Sequence, residues 1–133
     1  MEDLTIIIVE DDAPLRTIMQ LLLEDGPHRV EFAETGAVAL AKAAELTADV
    51  IVIDVGLPDM SGFDLARKLR ERGSSACLIA FTGFDDESSR ERAQQAGFDD
   101  YYHKPLDLEA MESIFDRVIA AGAEARQRAA KPR

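Results

Sequence analysis

The sequence predicts an α/β fold, a doubly wound parallel sheet built from five βα units. Three observations predict it. Apolar, β-branched runs alternate with helix-period stretches along the chain, as a parallel sheet covered by helices on both faces requires. The run Val50-Ile51-Val52-Ile53 has no polar face, which places it at the centre of such a sheet. Four runs also end in chemically capable residues: Ile6 to Val9 in Glu10-Asp11-Asp12, Val50 to Ile53 in Asp54, Cys77 to Phe81 in Thr82, and Tyr101 to His103 in Lys104-Pro105. Residues just past the carboxyl ends of parallel strands converge on one edge, where ligands bind.

The first strand is expected over Thr5 to Val9, with Asp12 capping the next helix and Pro14 in its first turn, where a missing N–H does no harm. Leu15, Ile18, Met19, Leu22 and Leu23 make that helix's inward stripe. Gly26-Pro27 ends it, and Arg29 to Ala33 alternates like a half-exposed edge strand. An Ala-rich second helix covers Gly36 to Leu46, and Asp49 precedes the central third strand. A loop from Gly56 to Gly62 leads to a helix with Phe63, Leu65, Ala66 and Leu69 inward. After Gly73 and the fourth strand, a helix from about Asp86 to Ala96 carries only Ala93 and Ala96 as an apolar stripe, so packing anchors it weakly. Asp85, Asp86 and Glu87 suit its positive end. The fifth strand is expected near Asp99 to His103, and the last helix from Asp107, with Leu108, Met111, Phe115 and Val118 inward. Gly122 reads as its end, giving one domain over 1–121 and a solvated tail over 122–133 that carries Arg126, Arg128, Lys131 and Arg133.

At 133 residues and 47% hydrophobic content, the chain can bury one core. A net charge of −11, without clustered Lys and Arg before the last residues, argues against direct nucleic-acid binding and favours basic partner surfaces. The single cysteine, Cys77, lies in an apolar run, where it reads as a small core residue in a reducing compartment. The acidic start and the lack of any membrane-length apolar run point to a cytoplasmic protein with no membrane contact.

Taken singly, the candidate residues have ordinary explanations, since Asp caps helices and opens turns. Their convergence changes the judgement. Two carboxylates about 4 Å apart repel by roughly 4 kcal/mol at an effective dielectric near 20, so Glu10, Asp11 and Asp54 in one pocket need a cation or a proton. An all-oxygen ligand set, completed by the carbonyl of Gly56, favours Mg²⁺, with Mn²⁺ as substitute, over zinc. Lys104 adds a fixed positive charge, Pro105 stiffens its turn, and Thr82 offers a hydroxyl before Gly83. The parts assemble into carboxylate-based phosphoryl transfer with Asp54 as nucleophile, a chemistry that rests on positioning and charge stabilisation. Tyr102, His28 and His103 read as packing or surface groups.

The ordered set Ile8-Val9-Glu10-Asp11-Asp12, Asp54 with Leu57 to Gly62, Phe81-Thr82-Gly83, Ala96-Gly97-Phe98-Asp99-Asp100-Tyr101 and Lys104-Pro105 resembles the receiver domain of two-component response regulators over about Leu4 to Ala120. The resemblance implies a (βα)₅ flavodoxin-like fold with strand order 2-1-3-4-5. It implies Asp54 as phosphoacceptor, Glu10 and Asp11 as Mg²⁺ ligands, Thr82 and Tyr101 as switch residues, and Lys104 as the phosphate contact. The implied phosphodonor is a sensor histidine kinase or histidine phosphotransfer protein. Output then passes to a downstream protein through the fourth helix, fifth strand and fifth helix, a face that also allows a homodimer. Such a chain is a regulatory phosphoacceptor rather than an enzyme, with self-phosphorylation from small donors and autodephosphorylation at most.

Three other readings compete. A flavodoxin-like cofactor binder would place phosphate in the loop after the first strand, where Glu10-Asp11-Asp12 repel it. A dehalogenase-like aspartyl-phosphate hydrolase wants a second acid two residues after Asp54, and Gly56 stands there. A receiver-fold interaction module that is never phosphorylated is the remaining alternative.

Overall fold

The computed structural model describes residues 3–83, 87–104 and 107–130. Its elements run β1 (Thr5–Val9), α1 (Ala13–Leu23), β2 (Arg29–Ala33), α2 (Gly36–Glu45), β3 (Val50–Asp54), α3 (Gly62–Glu71), β4 (Cys77–Thr82), α4 (Glu87–Ala96), β5 (Asp100–His103) and α5 (Leu108–Ala130). The five strands form one sheet in the order β2-β1-β3-β4-β5, and every pairing is parallel. The expected fold and strand order are therefore present.

Every residue of β3 and β4 is buried, whereas β2 and β5 are half-exposed edges; the central place of β3 and the half-exposed edge at β2 are as their patterns predict. Alternation along the strands divides the core in two. Ile7, Val9, Ile51, Ile53, Leu78 and Ala80 face α2, α3 and α4, while Ile6, Ile8, Val50, Val52, Ile79 and Phe81 face α1 and α5. Asp12 caps α1 by accepting from the Leu15 N–H, and Pro14 lies in its first turn.

Three expectations need correction. Ile18 is 39% exposed, because the buried stripe of α1 centres on Met19 and Leu23 and leaves Ile18 about 100° round the helix from Met19. Leu108, the first residue of α5, is 55% exposed, so the inward stripe of that helix starts at Met111. Gly122 does not end α5, which continues to Ala130 in place of a solvated tail over its length. A Cβ at Gly122 would lie 3.0 Å from Val50 Cγ1 and 3.1 Å from Leu4 Cδ1. Glycine there lets the helix approach the sheet closely, a demand of packing rather than of termination.

Beyond Gly122, Ala125 is buried, and Arg126 donates from Nε to Asp49 Oδ1 at 3.0 Å while its Nη2 lies 3.0 Å from Oδ2. Asp49 Oδ2 also accepts from the Thr5 N–H at 2.8 Å. The end of α5 is thus clamped to the amino edge of the sheet. Arg70 makes a second clamp. Its guanidinium donates to the carbonyls of Ser74, Ala76 and Gly97 and to Asp99 Oδ2, joining α3 to the start of β4 and to the turn that follows α4.

Candidate functional site

The carboxyl edge gathers its charges from three strands. β1 delivers Glu10 and Asp11, β3 ends at Asp54, and Lys104 follows β5. Since β1 and β3 pair with Val9 opposite Ile53, the acids that follow them are neighbours by register. One carboxylate oxygen from each of Glu10, Asp11 and Asp54 lies within 4.8 Å of the others. Glu10 and Asp54 are buried and Asp11 is exposed, so the cluster opens to solvent on one side. Lys104 Nζ stands 3.0 Å from Glu10 Oε1 and 3.3 Å from Asp54 Oδ2.

This arrangement is electrostatically incomplete. Glu10 is 1% exposed, and burial, followed by its contact with the Asp54 carboxylate, pushes its carboxyl up to about 7 against the pull of Lys104. Glu10 Oε2 accepts from the Asp12 N–H at 3.3 Å; Oε1 has the Lys104 charge close by but no donor aligned for a hydrogen bond. Burial disfavours the Lys104 charge as well, yet Glu10 and Asp54 together hold its ammonium above the usual value. A divalent ion seated among the three acids answers this imbalance, and the all-oxygen donor set fits Mg²⁺.

The turn after Asp54 is built for close quarters. Asp54 Oδ1 accepts from the Gly56 N–H at 3.0 Å, and Gly56 pairs with Ser61 across the loop. A Cβ at Gly62 would stand 2.7 Å from both Asp54 O and Val55 Cα, so only glycine lets α3 begin against the end of β3. Asp59, not singled out by sequence reasoning, accepts from the Gly36 and Ala37 N–H groups at 2.9 and 3.0 Å. Those two backbone donors hold its carboxyl below the usual range and tie this loop to the start of α2. An Asp in a turn reads as a local bond former, and its true partners lie 22 and 23 residues away, so no local signal could have found them.

Thr82 ends β4 fully buried, one residue past Phe81, which is the register partner of Asp54. Tyr101 lies opposite Ala80, on the sheet face shared by alternate residues Ala80 and Thr82, and packs half-buried against the α3–α4 side of the core. Gly83 is exposed, and nothing lies within 4 Å of a Cβ built there. Of the remaining expectations, Pro105, Asp85 and Asp86 lie outside the described residues. Cys77 is buried, and burial with the Asp99 and Asp100 charges pushes its thiol up to about 12, as suits a core residue.

A family model described as the response regulator receiver domain matches residues 6–116. This chain belongs to that family. The receiver is 36% identical over 114 residues to the two-component response regulator PhoP of Pseudomonas aeruginosa, covering 86% of this chain and 51% of that protein. It is 41% identical over 120 residues to the transcriptional regulatory protein KdpE of Mycobacterium tuberculosis, covering 89% and 51%. The chain thus spans about half the length of these curated relatives. Among solved structures, the BeF3-activated DrrB receiver domain superposes with a TM-score of 0.76 at 29% identity, over 90% of this chain and 99% of that one. The receiver domain of a sensor histidine kinase from Pseudomonas aeruginosa PAO1, with a magnesium ion in its active-site cleft, gives 0.75 at 28% identity over the same shares. The Glu10, Asp11 and Asp54 cluster matches the receiver Mg²⁺ site and is poised for metal-dependent phosphorylation. Membership makes the receiver a regulatory phosphoacceptor rather than an enzyme with a turnover substrate. Among the described residues, no helix is long and apolar enough to cross a membrane.

Proposed function

We propose that Asp54 accepts a phosphoryl group from a phosphohistidine on a sensor histidine kinase or histidine phosphotransfer protein. A carboxylate oxygen of Asp54 attacks phosphorus and forms an acyl phosphate, while the P–N bond breaks and its electron pair stays with the imidazole. The observation that carries this reading is the cluster itself, a buried Asp54 beside two further acids with Lys104 Nζ 3.3 Å away. Held by Glu10, Asp11, Asp54 and the carbonyl of Gly56, Mg²⁺ supplies charge neutralisation for the phosphoryl oxygens. Lys104 and the Thr82 hydroxyl donate to the other oxygens, and Gly56 and Gly83 leave room for the donor to approach in line.

Occupancy of Asp54 draws Thr82 toward the new charge, and Tyr101, on the same sheet face, moves with it. The readout is the surface of α4, β5 and α5, offered to a downstream protein or to a second copy of the chain, in the cytoplasm. Phosphorylation shifts an existing balance between two arrangements of this surface. The receiver in this reading includes α5 beyond Gly122, since Ala125 is buried there and Arg126 holds Asp49.

Incubation with Mg²⁺ and acetyl phosphate, followed by intact mass measurement, tests the proposal. One added phosphoryl group, lost in Asp54→Asn, is the expected result. No added mass would leave a passive interaction module, and steady turnover of varied phosphate esters would indicate a hydrolase.

A further inference from the structure

Helix α4 has too little apolar surface to explain why it sits where it does. Only Ala93 and Ala96 are buried along its ten residues, and two alanines bury little area. Two arginine–aromatic contacts add to that anchoring. The Arg92 guanidinium lies 4.4 Å from the centroid of the Phe63 ring, and that of Arg90 lies 4.8 Å from the centroid of Tyr101. Residues 90 and 92 are about 200° apart around a helix, so the two contacts grip α4 on opposite flanks of its alanine stripe.

The two rings differ in freedom. Phe63 is buried in the core and packs edge-on against Phe98, with centroids 6.4 Å apart. The turn after α4 is fixed as well, since Gly97 takes φ +105°, its carbonyl accepts two bonds from Arg70, and Phe98 N–H closes back to Ala93 O. Tyr101, by contrast, is half-buried on an edge strand. One flank of α4 therefore rests on an immobile ring, and the other rests on a ring that can turn.

We infer that Arg90 is a positioning residue of the switch, joining the Tyr101 ring to the amino-terminal half of α4, while Arg92 and Arg70 pin the helix at Phe63 and Gly97 as a pivot. The inference rests on the proposed phosphoryl switch for its purpose but not for its geometry. A turn of the tyrosine ring then carries the start of α4 with it, although the helix shares little apolar contact with β5.

Amide hydrogen exchange of residues 87–92 in the full chain reads the joint directly. Arg90→Ala and Tyr101→Leu, the latter keeping apolar bulk without the ring face, each speed that exchange about two- to fivefold, the range an exposed cation–π contact supports. The double variant is no faster than either alone. Arg92→Ala adds its own increment to both, and Arg90→Lys recovers part of the loss. Additive effects of Arg90→Ala and Tyr101→Leu, or no effect of Arg90→Ala, would overturn the inference. Beryllofluoride with Mg²⁺ separates this from the phosphoacceptor reading. In the parent it alters the Tyr101 signal in 3-fluorotyrosine-labelled protein and the exchange of α4 together; in Arg90→Ala the first change persists and the second largely disappears. Persistence of both changes in Arg90→Ala would also contradict the joint, whereas no response in the parent would sink the phosphoacceptor reading and leave the exchange cycle to decide the joint alone.

Discussion

The two edges of the sheet each bury an acid, and they satisfy it in opposite ways. At the amino edge, Asp49 is 8% exposed, accepts from the Thr5 N–H and meets Arg126 through both carboxylate oxygens. Its charge has a full set of partners drawn from β1 and α5. At the carboxyl edge, Glu10 is buried more deeply, but it shares one ammonium with Asp54, has Asp11 as a further acid beside it, and keeps one oxygen without an aligned donor. A closed ion pair holds a fold together, whereas an open cluster of like charges stores a demand that only a cation or a proton can meet.

The largest break in this comparison comes from removing the satisfied acid. Asp49→Ala strands the Thr5 N–H and the Arg126 charge, and urea unfolding is expected to show a loss of about 2–4 kcal/mol, somewhat below the usual cost for a fully buried pair because Arg126 is partly solvated. That loss should be the same with and without Mg²⁺, because the carboxyl edge is untouched.

The open edge should answer to pH. The Glu10 carboxyl binds its proton more tightly folded than unfolded, so the native state holds the extra proton between the ordinary 4.5 and about 7. In metal-free protein the stability from this group is complete below the unfolded value and is lost as pH rises through that window. A metal that needs the ionised carboxylate must displace this proton, so calorimetric titration should find Mg²⁺ binding about tenfold tighter at pH 8 than at pH 6. The smallest effect is expected at Cys77, whose buried thiol, pushed up to about 12, should resist native-state alkylation at pH 8 and react only after unfolding.

Much of this molecule is legible in sequence because its strongest signals are local. An unbroken apolar run such as Val50 to Ile53 has only one place in a sheet, and acids that follow two neighbouring strands must meet at its carboxyl edge. What stays hidden depends on distant partners. Gly122 looks like a helix terminator until Leu4 and Val50 are seen to crowd the place a Cβ would take, and Arg126 looks solvated until Asp49, 77 residues earlier, comes within reach. Asp59 carries no mark of its bond to the start of α2. Ile18 and Leu108 have the right spacing but stand at the margins of their helices' contacts, where period alone overstates burial.

Removal of the charge at Glu10 separates the two edges most directly. With chelator present at pH 8, Glu10→Gln should raise unfolding free energy by about 1–2 kcal/mol, because a carboxyl held near 7 is ionised there against its surroundings. The same variant should lose the stabilisation that Mg²⁺ gives the parent. A fall in stability like that expected at Asp49, or a Mg²⁺ response that survives, would contradict the account of the carboxyl edge as a cation site.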